Sequence, residues 1–334
     1  MAKNINKVDN QKINQLTDLL DYASMLYYEE KEATYLECLS KVLESYMEEL
    51  DLPFDEETLE KLNSVFSEIG KLDLSIEELR KVFLLLSIKG FKQANFSLDI
   101  ITPDAVSLIV NYLVDSLLKT VDKPKDIVRK FTRPIKGKYQ ILDINYGVGN
   151  LVLNLNNNLD YPISFVGIES SNILANYANT INNFMDVDVT LYNQDALSMI
   201  VPSADIVIGD LAVYDYEDPL YSSPLHEAGV DYFPYLAIEK HLNSGHEKTK
   251  YLYLIDFDFF EQKGSDLFKK VLNEKVGIKA LIVLPQSFFQ TSPKAILILD
   301  KEKKGSTNIV SLPSLNNKEE FFKVINDIKR GLEE

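Results

Sequence analysis

The sequence predicts an all-helical N-terminal domain, residues 1–95, followed by a larger α/β domain, residues 96–334. Three observations carry this. Apolar residues recur at helical spacing through the first part of the chain. From about residue 139, short apolar runs rich in β-branched residues alternate with helical stretches. The last two of these runs are separated only by SFFQTSPK, too short for a crossover helix, so the sheet should be mainly parallel with its last strand antiparallel.

The helical elements come first. Leu16, Leu19, Leu20, Ala23, Leu26 and Tyr27 line one face of a first helix, and Leu36, Leu39, Val42, Leu43 and Tyr46 line a second. Asp55 can cap a third helix carrying Leu59, Leu62, Val65, Phe66 and Ile69, which Gly70 can end. Ser75 with Glu78 three residues on has the pattern of a capping box opening SIEELRKVFLLLSI. This acidic region carries no chemistry of its own. Packing, dimerisation or covering a cleft is the role it suggests.

The strands follow as QILDIN (140–145), SFVGIE (164–169), VDVTLYNQ (187–194), ADIVIGDL (204–211), YLYLIDFDF (251–259), KALIVLPQ (279–286) and AILILD (295–300). Runs apolar on both faces belong in a parallel sheet covered by helices on each side.

Composition limits the function. A chain of 334 residues with 46% hydrophobic residues can bury a large core. A single cysteine, Cys38, excludes an intramolecular disulfide framework and a Cys-rich metal site. The start, MAKNINKVDNQKINQL, has no apolar signal-peptide core, and no run is expected to reach transmembrane length. These features suggest a reducing cytoplasm and no membrane partner. The formal net charge of −16 opposes general nucleic-acid binding, which depends on neutralising phosphates. No Lys or Arg occurs between Lys138 and Lys240, whereas Lys119, Lys123, Lys125, Arg129, Lys130, Arg133, Lys136 and Lys138 crowd one stretch. That stretch reads as a solvated helix and linker, or as a phosphate-contacting edge.

Acids and glycines mark one end of the sheet. Asp143 ends the first strand, and Gly147 and Gly149 make a tight turn into a helix, which lets a ligand approach the backbone. Glu169 ends the second strand, where a carboxylate can accept both hydroxyls of a ribose. Asp195, in NQDAL, follows the third strand, where an acid can accept an adenine amino group. Open α/β sheets bind ligands at this carboxyl edge. A dinucleotide fits poorly: Val152 stands at the third small position of its fingerprint, and no cation in this span would meet its phosphates. S-adenosylmethionine has no phosphate, carries a sulfonium cation and suits an acidic crevice.

These elements, in this order, resemble the class I S-adenosylmethionine-dependent methyltransferases, with their Rossmann-like seven-stranded sheet. More narrowly, the chain resembles the N6-adenine-specific DNA methylase group over roughly residues 95 to 302. Thr102-Pro103 before AVSLIVNYLVDSLL is similar to the threonine-proline element of that group. LDINYGVGNLVL resembles its D-P-x-x-G-x-G-N-L-L form, and IKALIVLPQSFFQTSPKAILILDK its closing strands. The resemblance implies a cofactor site of Thr102, Pro103, Asp143, Gly147, Gly149, Asn150, Glu169, Asp195 and Ala196. Asp143 and the glycines would hug the methionine part, Glu169 the ribose and Asp195 the adenine.

The group's catalytic motif is Asp or Asn, then Pro, Pro and an aromatic residue. Its first side chain and a backbone carbonyl accept from the target amino group, and the ring stacks on the flipped base. Asp210 matches the first position. Leu211 and Ala212 replace the prolines, Val213 stands where the ring belongs, and Tyr214 comes one residue late, with Tyr216 and Tyr221 near. The resemblance therefore implies methylation of an amino group, with Asp210 and Tyr214 as catalytic residues. The altered loop also admits a second reading, a cofactor-binding protein without catalysis that acts as a regulatory or interaction module. The acceptor is open. Duplex DNA is disfavoured by the acidic face and the lack of a recognisable target-recognition domain, and the N-terminal helices could form a homodimer. The histidines His226, His241 and His246 offer only a pair five apart, so no metal is expected.

Overall fold

The structure, a computed structural model, describes residues 8–30, 33–48, 52–122, 137–199, 203–243, 245–290, 292–302 and 307–333. Helices α1 (Asn10–Glu30), α2 (Tyr35–Glu48), α3 (Glu56–Ile69) and α4 (Ile76–Ala94) come first, then α5 (Asp104–Thr120). Next are β1 (Tyr139–Asp143), α6 (Asn150–Asn158), β2 (Ile163–Glu169), α7 (Asn172–Phe184) and β3 (Val189–Asn193). They are followed by β4 (Ile206–Asp210), α8 (Pro224–Glu227), α9 (Phe233–Leu242), β5 (Lys250–Asp256) and α10 (Ser265–Lys275). The chain closes with β6 (Gly277–Val283), β7 (Lys294–Asp300), β8 (Asn308–Ser311) and α11 (Lys318–Glu333).

These elements form two compact units. One comprises residues 1–101, 147–160 and 171–193, and the other residues 102–146, 161–170 and 194–334. The expected division at 95/96 therefore differs in two ways: the first unit runs on to Ile101, and it recruits α6, α7 and β3 from the later chain. The reason is burial. Leu153 on α6 and Leu174, Tyr177 and Ile181 on α7 share one apolar cluster with Leu36, Leu39, Val82 and Phe83.

Within the first unit the helix starts are those the sequence encodes. Asp55 accepts from the Thr58 N–H at 2.7 Å and caps α3. Ser75 and Glu78 complete the capping box of α4. Glu78 does more than the sequence pattern shows, because its Oε1 also accepts from the Asp9 N–H at 2.7 Å, just ahead of α1.

Within the second unit, seven strands lie in the order β2-β1-β4-β5-β7-β6-β8. β2, β1, β4 and β5 run parallel, and β7 is antiparallel to both β5 and β6, as the short SFFQTSPK connection requires. The sequence reading missed β8, a strand parallel to β6, and the helix α11 after it. β8 is short and half exposed, with an intermediate–exposed alternation, so it lacks the apolar run that marks the other strands. Alternate residues of the central strands face opposite sides. Leu142, Val166, Val207, Tyr251, Tyr253 and Leu297 share an apolar cluster with Leu236, Ala237, Phe268 and Leu272 of α9 and α10. Helices α5 and α11 pack together, and α5 packs on β4.

The stretch Leu98–Thr120 corrects the expectation that no run reaches transmembrane length. It has the length and hydropathy of a span, and 56% of its apolar window is buried inside the protein. The basic stretch is described only in part, with residues 123–136 outside the described residues. Of its described members, Lys119 pairs with Asp115 at 3.1 Å and Glu333 at 3.2 Å.

Candidate active site

The acids gather where parallel strands end. In the second unit a cleft of about 320 Å³ opens over the carboxyl ends of β1, β2 and β4. Its wall includes Asn145, Glu169, Ser170, Gln194, Asp195, Ala196, Ala212, Tyr214 and Phe233. Glu169, Asp195, Ala196 and Tyr214 thus line one cleft. Asn145, Ser170, Gln194 and Phe233 were not foreseen, although Asn145 lies inside the run that drew attention to Asp143. No Lys or Arg is among the residues lining this cleft.

Asp143 lies beneath the cleft rather than in its wall. It is 1% exposed and accepts the Asn145 N–H at 3.0 Å. Burial pushes its carboxyl up to about 7; the Asn145 N–H opposes this, and the neighbouring charges of Asp210 and Glu169 add to the rise. Asn145 in turn accepts the Ala212 N–H at 3.0 Å through its side chain. The loop after β1 is thereby tied to the loop after β4.

Asp195 is held on both oxygens. Oδ1 accepts the Leu197 N–H at 2.7 Å, and Oδ2 accepts the Tyr216 hydroxyl at 2.5 Å. Tyr216 is 8% exposed, with its hydroxyl committed to Asp195. Tyr221 packs edge-on against the Tyr216 ring, 5.4 Å between centroids. Tyr214 remains available. It is 44% exposed and lies flat on Phe233, with centroids 4.5 Å apart and planes 16° apart. The Tyr214 carbonyl accepts the Phe233 N–H at 2.9 Å, so the first residue of α9 orients both the backbone and the ring of Tyr214.

Asp210 ends β4. Its Oδ1 meets the Lys294 ammonium at 2.5 Å, with side chains 11% and 6% exposed for Lys294 and Asp210. Its Oδ2 accepts the Thr102 hydroxyl at 2.8 Å. The acid that ends β4 is therefore paired with a cation that opens β7, 84 residues away in sequence. Thr102, expected at the cofactor, makes a bond to the motif acid, and Pro103 begins α5 as its N-cap residue. Leu211 is buried and Val213 is half exposed. Thr102 and Lys294 together fix the orientation of the Asp210 carboxylate.

Gly147, Gly149 and Asn150 belong to the first unit. Gly147 and Gly149 have φ of 55° and 79°, left-handed values that glycine adopts without steric cost. Gly149 is the N-cap of α6, and Asn150 is its first residue. The Asn150 side chain accepts from Arg80 Nη1 at 2.7 Å.

The fold is that of the class I S-adenosylmethionine-dependent methyltransferases. A solved Listeria monocytogenes structure provisionally assigned to that class superposes with a TM-score of 0.81 at 23% identity, over 97% of this chain and 100% of that one. The methyltransferase subunit of a type I restriction-modification system from Streptococcus thermophilus superposes with a TM-score of 0.63 at 16% identity, over 96% of this chain and 73% of that one. In sequence, the chain is 26% identical over 284 residues to the uncharacterised protein YtxK of Bacillus subtilis, covering 82% of each. No family model matches. The resemblance read from the sequence thus holds at the level of the fold.

Proposed function

We propose that the chain binds S-adenosylmethionine at this carboxyl edge and transfers its methyl group to an amino nitrogen. The carrying observation is the convergence of Glu169, Asp195 and Tyr214 on one cleft whose lining holds no cation. Glu169 accepts from the ribose hydroxyls. Asp195 accepts from the adenine amino group, because each carboxylate oxygen has a second acceptor site besides the one already used. Asp143 acts through Asn145, whose N–H it holds. By the resemblance, Thr102, Pro103, Gly147, Gly149 and Asn150 take the methionine part. When bound, the cofactor supplies an electrophilic methyl on a sulfonium. Asp210 accepts a hydrogen bond from the acceptor amino group and so leaves its lone pair free for the methyl, while the Tyr214 ring offers a flat stacking face.

Calorimetry tests the first half. S-adenosylmethionine should bind, NAD should not, and Glu169→Ala should weaken binding about tenfold, the loss of a charged hydrogen-bond acceptor. Binding of NAD alone would overturn the reading. Labelled methyl transfer to DNA, RNA or cell extract tests the second half. Asp210→Ala combined with Lys294→Met removes the acid without stranding its partner, and should abolish any transfer.

One observation favours a second reading, a cofactor-binding module without catalysis. Both Asp210 oxygens are already engaged, by Lys294 and Thr102. An incoming amino group must share them. Clear cofactor binding with no transfer to any fraction would select this reading.

A further inference from the structure

Arg80, on α4, is a buried cation that the proposed site does not use, 2% exposed. Its Nε and Nη2 donate to the two carboxylate oxygens of Glu77 at 2.9 and 2.7 Å. Its Nη1 donates to Asn150 Oδ1 at 2.7 Å. Glu77 also accepts from Asn157 Nδ2 at 3.2 Å. Asn150 is the first residue of α6 and Asn157 lies in its last turn. One guanidinium–carboxylate pair on α4 therefore grips α6 at both ends.

A buried guanidinium is tolerated only where its donors are satisfied, and its planar fork fixes the direction of each bond. The bond to Asn150 thus sets the rotation of the first turn of α6 as well as its position. Directly before that turn stands the segment Gly147-Val148-Gly149, in which Val148 is the one side chain, buried in the apolar cluster of the first unit. Gly147 lies close to the main chain at Ile100: a Cβ there would sit 3.4 Å from the Ile100 carbonyl oxygen. Besides the burial of Val148, the turn meets the Ile100 backbone at its start and Arg80, through Asn150, at its end.

We infer that Arg80 is a positioning residue for the Gly147–Asn150 turn, and through that turn for cofactor affinity. The second part rests on the cofactor reading above. The inference gives the N-terminal helices a role that neither their composition nor their patterning shows, which is to pre-organise a ligand-contacting turn before the ligand arrives. Glu77 is 34% exposed, so Arg80→Met leaves it in contact with water while Asn150 loses its charged donor.

The experiment compares the full-length protein with Arg80→Met and Arg80→Lys. Hydrogen exchange is followed over residues 147–154, S-adenosylmethionine affinity by calorimetry, and folding by circular dichroism at the assay temperature. Arg80→Met should speed exchange in that segment while α9 keeps its protection, and should weaken binding about tenfold, the effect of one lost hydrogen bond to a charged group. Arg80→Lys, which cannot serve Glu77 and Asn150 together in the same geometry, should fall between. Unchanged exchange and affinity would overturn the inference. So would a lower melting temperature with wild-type exchange and affinity, since the pair would then serve only stability. If the unaltered protein binds no S-adenosylmethionine, the cofactor reading fails by itself and exchange still decides the role of Arg80. Should Arg80→Met fail to fold, Asn150→Ser cuts the same link and leaves the Arg80–Glu77 pair intact, with exchange as the readout.

Discussion

Asp210 and Lys294 form a buried pair, so each is costly to remove alone. Truncating one member of such a pair strands the other charge and typically costs about 3–5 kcal/mol. Asp210→Ala should therefore destabilise the protein by roughly that amount in urea titrations, whereas Asp210→Asn, which keeps one oxygen acceptor for the Lys294 ammonium and turns the other into an NH2 donor, should cost less. Asp210→Ala with Lys294→Met should recover much of the loss. A single variant as stable as the double would show that the ion pair contributes nothing. Asp143 makes a prediction in pH. Its folded carboxyl titrates near 7 because burial, with the charges of Asp210 and Glu169, disfavours ionisation. Unfolded, it titrates near the ordinary value of about 3.9. Between those values the folded state holds the extra proton, so this residue's contribution is complete below about pH 4 and is lost as pH rises through 7. Asp143→Asn removes the loss. Its melting temperature relative to the parent should climb from pH 4 to 7 and level off above 8, and a flat difference would mean that Asp143 ionises normally.

At the scale of elements, Glu78 joins two helices. It completes the α4 capping box with Ser75 and accepts the Asp9 N–H just ahead of α1. Ser75→Ala should cost about 1 kcal/mol, the usual value of an N-cap. Glu78→Ala should cost more, because it also leaves the Asp9 N–H without its acceptor; equal losses in denaturant titrations would refute the second role. The contrast shows what a sequence can disclose. The α3 and α4 starts were legible because capping works over three residues, and the antiparallel β6–β7 pair was legible because an eight-residue connection forbids a crossover. The acids at the strand ends were legible because each closes an apolar run. The third link of Glu78, the Lys294 partner of Asp210, the Phe233 seat of Tyr214 and the Arg80–Asn150 bond were not. Each joins residues far apart in the chain, and neither spacing nor composition encodes which distant side chain will arrive. β8 escaped notice for a different reason: with alternate residues exposed, it has no apolar run to announce it.

Over the whole molecule the dominant electrostatic fact is the net charge of −16. Charges of one sign repel over distances set by screening, about 30 Å at 0.01 M ionic strength and about 10 Å at 0.1 M. Short buried pairs such as Lys250–Asp300 at 2.7 Å, with side chains 6% and 7% exposed, are screened far less. Added salt should therefore weaken the repulsion more than it weakens the pairs, and the protein should gain stability. Melting temperature should rise between about 0.01 and 0.1 M salt, equally in sodium and potassium chloride, because screening depends on ionic strength rather than on ion identity. A fall would show that exposed pairs such as Lys248–Asp122, at 2.9 Å, outweigh the net repulsion. The same field bears on the proposed methyl acceptor. A protein that neutralises phosphates loses affinity steeply as salt rises. Here the long-range force between protein and duplex is repulsive, so any binding to duplex DNA should be weak at low salt and should not show that steep fall. A fluorescently labelled duplex titrated at two salt concentrations decides it. Tight binding at low salt that collapses at high salt would reveal a basic surface that the net charge conceals, and would return duplex DNA to the front of the candidate acceptors.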